Sequence, residues 1–159
     1  MTAHPEDDEL PIIQRRRIEA NIIAPIYRRM VDQLGHEKAA DIIRDAITED
    51  ARKAGERFAA LEKGDANLKT FFSVLELWKR EDALVSETVV ETETQLEFNV
   101  TRCRYAEMYR EMGLEEIGGL LSCVRDYEFM QGYNPNITYS RTQTLMQGAS
   151  HCDFKYHAI

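Results

Sequence analysis

A chain of 159 residues, 43% apolar and 30% charged, is long enough to bury a core as one globular unit. Its formal net charge of −8 argues against nucleic acid or an anionic membrane as the main partner, since both need a basic face. No run approaches the ~18 apolar residues of a membrane span, and the acidic start, Met1 to Asp8, lacks the order of a signal peptide, so a cytoplasmic setting with reduced thiols is expected.

Residues 1–8 read as a mobile acidic arm, and 9–159 as a single α+β domain with a helical part, 9–82, and a mixed part, 84–157. The first helix is predicted from Glu9 to Leu34, with Ile18, Ile22 and Ile26 as its apolar stripe. Pro25 should kink or split it, Gly35 should cap it, and Arg15-Arg16-Arg17 reads as a solvated face. His36 to Leu61 is the clearest helix, striped by Ala39, Ile43, Ile47, Ala51 and Phe58. That stripe could serve a homo-oligomer interface, although core packing accounts for it equally well.

Gly64-Asp65 marks a stop and a new N-cap, followed by a helix from Asn67 to Arg80 with Leu68, Phe71, Phe72, Leu75 and Trp78 on one side. From about residue 84 the texture changes: β-branched Val85 to Thr94, then alternating Leu96, Phe98 and Val100, predict an antiparallel hairpin. Cys103 ends its second strand. A short helix from Tyr105 to Met112 closes at Gly113, and another from Leu114 to Met130 is interrupted at Gly118-Gly119. Gly132 to Pro135 reads as a turn, and Ile137 to Met146 and Cys152 to His157 as a closing pair of strands. The fold class is therefore α+β: N-terminal helices, then a small, mostly antiparallel sheet with interspersed helices.

All three cysteines lie in the last sixty residues, among acids and an arginine at short spacing. Cys123 and Asp126 share one helix face, so a thiol nucleophile could stand beside an acid/base group. A carboxylate raises a thiol pKa, and Arg141 or a helix start would have to counter it. Cys103 stands at a strand-to-helix junction and should share a face with Glu107. Cys152 follows His151 at the start of the last strand, facing the other way, so the pair is no obvious dyad. Arg141 and Thr144 are placed in a strand, where the guanidinium would clamp a carboxylate. On spacing alone, each cysteine reads better as a small core residue. With no Cys-x-x-Cys, no Gly-rich phosphate loop and no Gly-x-Ser-x-Gly, neither metal nor cofactor is expected.

Taken in order, Cys103-Arg104-Tyr105, Glu107, Met112-Gly113, Cys123-x-x-Asp126, Arg141-x-x-Thr144 and Gly148 through Cys152-Asp153-Phe154 resemble the L-2-amino-thiazoline-4-carboxylic acid hydrolase family over about residues 99–156. The resemblance implies a small bacterial cytoplasmic enzyme, a hydrolase acting on non-peptide C–N bonds of a cyclic amidine-like or related ring that carries a carboxylate. On it, Cys123, Cys152 or Cys103 would be the nucleophile and Asp126 the proton shuttle. Arg141, Glu107, Thr144 and His151 would bind substrate. A non-covalent variant has Asp126 or Glu107 activate water. The Gly…Cys-x-Phe ending also resembles 4-vinyl reductase-like small-molecule-binding domains, in which the cysteines would bind a metal or line a ligand pocket without turnover.

Overall fold

The computed structural model describes residues 10–159; the expected acidic arm lies outside the described residues. The chain folds as α+β, with helices first and a four-stranded antiparallel sheet of order β1-β2-β4-β3 following. Helix α1 spans Ile12–Leu34 and runs unbroken through Pro25, so the expected split does not occur. Gly35 ends it at φ +84°, its N–H bonded to Val31 O at 2.9 Å, and α2, His36–Leu61, starts at once.

The buried face of α1 is Ile13, Ala20, Ala24 and Tyr27, whose small alanines suit close helix packing. The anticipated stripe is instead turned outward: Ile18, Ile22 and Ile26 are all more than half exposed. Nor is the arginine triplet simply solvated. Arg16 is turned inward, 15% exposed, and grips Glu19 at 2.7 Å.

Helix α3, Leu68–Lys79, is capped by Asn67 rather than by Asp65. The Asn67 side chain accepts from Lys69 and Thr70 N–H while Thr70 Oγ1 accepts from Asn67 N–H, a reciprocal capping box that Asp65 stands too early to form. Strands β1, Leu84–Glu91, and β2, Gln95–Cys103, form the predicted hairpin. Thr92 Oγ1 accepts from Gln95 N at 2.9 Å, closing a turn that has no glycine.

Then come α4, Arg104–Glu111, α5, Glu115–Gly118, a π-helical turn, Gly119–Cys123, and α6, Arg125–Tyr133. Gly132 lies inside α6, not in a turn, because α2 and α6 cross with their backbones in contact. A methyl on Gly132 would lie 2.9 Å from the Arg52 carbonyl carbon, and one on Gly55 2.7 Å from Tyr133 N. Only glycine on both sides allows that approach.

Strand β3, Ile137–Ser140, stops six residues before the expected Met146, and β4 spans Cys152–Ala158. The ladder ends early because Asp153 draws the chain away. Its carboxylate accepts from Thr142 N, Thr142 Oγ1 and Gln143 N at 2.7–3.0 Å, an alternative to strand pairing. Thr144 and Leu145–Gln147 then make a 3₁₀ turn, closed by Gly148 at φ +91°.

The sheet's inner face carries Leu96, Phe98 and Val100 opposite Tyr156, Phe154 and Cys152. It packs against Phe71, Phe129 and Tyr133 of α3 and α6. A second apolar cluster joins α1, α2, α4 and α5, and Leu84 and Cys103 touch both.

Candidate active site

The three thiols come from three separate elements and converge on one charged pair. Cys103 is the N-cap of α4, Cys123 ends the π-helical turn, and Cys152 begins β4 on the sheet's inner face. Three residues past that turn, the first turn of α6 presents Asp126; π-helical insertions of this kind recur at functional sites.

Arg141 holds the centre. Its Nη1 donates to Asp126 Oδ2 at 2.5 Å and its Nη2 to Cys123 O at 3.0 Å. The guanidinium lies 5.0 Å from the Phe154 ring centroid and 5.8 Å from that of Tyr139. Both charged side chains are mostly buried, 13% and 18% exposed. The Cys-x-x-Asp element thus meets the arginine twice, by a carbonyl and by a carboxylate.

Electrostatics follow from that burial. Desolvation pushes the Asp126 pKa up, against the pull of Arg141, Arg125 and Arg16. Burial alone would lower that of Arg141, but the Asp126 charge outweighs it and holds the guanidinium charged. The thiols go the same way as Asp126. Burial, with the Asp126 charge, takes Cys123 up to about 12. Burial takes Cys103 to about 11 although Ala106 N–H pulls it down, and α4 closes no full capping bond to it. Cys152 is raised by burial against the Leu145 N–H, which meets Sγ at 3.2 Å. The expected thiolate-favouring helix start is therefore present but loses to desolvation.

For Cys103 the rise from 9.0 to about 11 leaves about a hundred-fold less thiolate at pH 8 than in the unfolded chain. Iodoacetamide labelling read by peptide mass spectrometry will accordingly be slow at Cys103 and Cys123 in native protein and fast in urea. Native labelling of either at the urea rate would contradict this. Because the folded thiols hold their protons more tightly, their contribution to stability is full below pH 9 and fades as pH rises through about 11–12.

The remaining expected residues stand apart from the pair. Glu107 does not share a buried face with Cys103; Arg102 draws it outward at 2.8 Å and its hydrogen bond holds the Glu107 pKa low. It lines a surface cleft with Arg17, Arg102 and Arg104. Thr144 lies beyond β3 rather than in a strand, its buried hydroxyl accepting from Gln147 N at 3.1 Å. His151 Nδ1 meets Ser150 Oγ at 2.9 Å and Gln143 Nε2 at 3.2 Å in the same loop. Thr144, Asp153 and Gly148 together shape the loop from which Arg141 reaches Asp126. Among the described residues no three His, Cys, Asp or Glu side chains are grouped to hold a metal ion.

Spacing arguments missed four neighbours of the pair. Arg125 is 11% exposed, bonded to Leu121 O and Asp50 Oδ2 at 2.8 Å, and Arg16 is turned inward towards it. Tyr139 and Tyr156 face each other across β3 and β4, ring centroids 5.1 Å apart. The alternation Cys152-x-Phe154-x-Tyr156 was the available signal for the last of these.

A family model described as L-2-amino-thiazoline-4-carboxylic acid hydrolase matches residues 15–156. The match takes in the N-terminal helices as well as the segment from residue 99 onward. No match was found among curated proteins. Among solved structures, the chain is similar to the crystal structure of the phenol-responsive sensory domain of the transcription activator PoxR with phenol. The TM-score is 0.56 at 14% identity, over 87% of this chain and 73% of that one, a likeness of fold. No helix among the described residues is long and apolar enough to cross a membrane.

Proposed function

This chain belongs to the L-2-amino-thiazoline-4-carboxylic acid hydrolase family, and on that premise we propose that it hydrolyses a small cyclic amidine-like ring bearing a carboxylate, at the Asp126–Arg141 pair. The carrying observation is that pair: a buried carboxylate of raised proton affinity, held in place by an arginine, the carboxylate's charge being felt by all three thiols. A general base needs a pKa brought up towards the working pH, and burial moves Asp126 that way.

In this reading Asp126 takes a proton from water as the oxygen adds to the amidine carbon. It then returns the proton to the leaving ring atom as that bond breaks, so base and acid are one residue. Arg141 holds the carboxylate of Asp126 in place and supplies positive charge near the substrate's own carboxylate. The raised thiol pKa values favour water over a preformed thiolate as nucleophile. All three cysteines are unpaired, which suits a reducing cytoplasm.

Turnover of L-2-amino-thiazoline-4-carboxylate, followed by chromatography of the ring-opened product, tests the reading. Asp126→Asn should cut kcat by about 10²–10⁴ with circular dichroism unchanged, while Cys123→Ser retains turnover. Wild-type kcat in Asp126→Asn would sink the role given to Asp126. A second reading, a binding module that senses a small molecule without turning it over, is favoured by the fold likeness to a phenol-responsive sensory domain. Binding with no product from any ring substrate would decide for it.

A further inference from the structure

Two buried side-chain polar atoms among the described residues have no hydrogen-bond partner, the hydroxyls of Tyr139 and Tyr156. They are direct cross-strand partners on the sheet's inner face, and Tyr156 is 0% exposed. Leaving a buried hydroxyl unpaired costs its full desolvation penalty. Phenylalanine would avoid that cost, and the surrounding core is built of it: Phe71, Phe98, Phe129 and Phe154. Yet at these two places the chain keeps an O–H.

Both hydroxyls lie within the electrostatic reach of Asp126 and Arg141 without bonding to either. Burial, with the Asp126 charge, pushes both phenols far above their ordinary range, so they stay protonated and donate. The pair therefore offers two O–H donors side by side, with the Tyr139 ring against the Arg141 cation. Arg141 already donates to Asp126 and to Cys123 O, so its role toward a ligand is charge rather than a free fork. Two unpartnered donors on neighbouring rings near a cation match an acceptor with two oxygens and a negative charge.

We propose that Tyr139 and Tyr156 form the subsite that receives the carboxylate of a planar ring ligand, their hydroxyls donating to its oxygens and Arg141 supplying the countercharge. The inference rests on the hydrolase reading for the ring's identity, and deepens it by moving carboxylate recognition from Arg141 to the tyrosines. The ring's cationic amidine end then faces Asp126.

Isothermal titration tests it with two acid–neutral probe pairs: L-2-amino-thiazoline-4-carboxylate against 2-aminothiazoline, and benzoate against benzamide. Wild-type protein should bind an acid more tightly than its uncharged counterpart. Tyr139→Phe and Tyr156→Phe should each lower affinity for the acid about ten-fold or more and leave the neutral probe unaffected. Each ligand-free variant should melt no lower than wild type, because no internal bond is lost.

Unchanged acid affinity in both variants, the result expected if the hydroxyls meet only a structural water, overturns the proposal. So does a wild type that prefers no ring carboxylate, a result that needs no variant to fold. Hydroxyl-dependent carboxylate binding without ring opening would overturn the hydrolase reading alone.

Discussion

Replacing Asp126 by alanine will destabilise the protein by about 3–5 kcal/mol, and adding Arg141→Met will restore most of the loss. The single variant leaves a guanidinium 13% exposed with no counterion. It would still be bonded to Cys123 O and packed on Phe154, so it cannot easily swing to solvent. The double variant removes both desolvated charges at once, and methionine fills the arginine's apolar volume. Arg141→Met alone will depend on pH in a way Asp126→Ala does not. Without Arg141 the Asp126 pKa in the folded state climbs further above that of the unfolded chain. Stability of that variant is then retained at low pH and lost as pH rises through the folded pKa. An arginine cannot shed its proton to escape in the same way. Urea unfolding of the four proteins at two pH values measures all of this. Equal pH dependence in the two single variants would show that Asp126 is not held charged by Arg141.

Gly132→Ala will be at least as damaging, costing about 3 kcal/mol or more, or will prevent soluble folding. An alanine there is favoured by helix propensity, so intrinsic preference predicts a gain. The crossing with α2 reverses the sign: the new methyl would meet the Arg52 backbone, not a side chain that can turn aside. Gly55→Ala meets the backbone of α6 from the other side and should behave alike. Because Asp126 lies in the first turn of α6, the displacement should also disturb the Asp126–Arg141 pair. Unfolding midpoints measure the first effect and turnover the second. A Gly132→Ala protein as stable as wild type would mean that the two helices can separate at small cost.

Local chemistry made most elements legible. The α2 stripe, the glycine stops at Gly35 and Gly113, and the β-branched hairpin are written in neighbouring residues, because hydrogen-bond ladders and turns are short-range. Where expectation failed, a distant partner decided. Ile18, Ile22 and Ile26 have helical periodicity, but Ala20 and Ala24 offer the closer approach, so α1 is rotated to bury them. Gly132 looked like a turn until α2 lay against it. Arg141 and Thr144 looked like strand residues until Asp153, eleven residues past Thr142, took over the backbone N–H groups of Thr142 and Gln143 between them.

The ordered motifs from Cys103 to Phe154 identified the family and the segment of interest, since residue type and spacing survive without knowledge of contacts. They left open which of three cysteines is the nucleophile and whether Asp126 or Glu107 activates water. Tertiary structure shows where each one stands. It joined Asp126 to Arg141, sent Glu107 to the surface with Arg102, and buried the thiols deeply enough to keep their protons. It also exposed two tyrosine hydroxyls that no motif marks. Spacing along a chain can say which groups share an element, but pKa values and unmet hydrogen bonds depend on what surrounds a group in space. That surrounding exists only once sheet, α2 and α6 have closed around it.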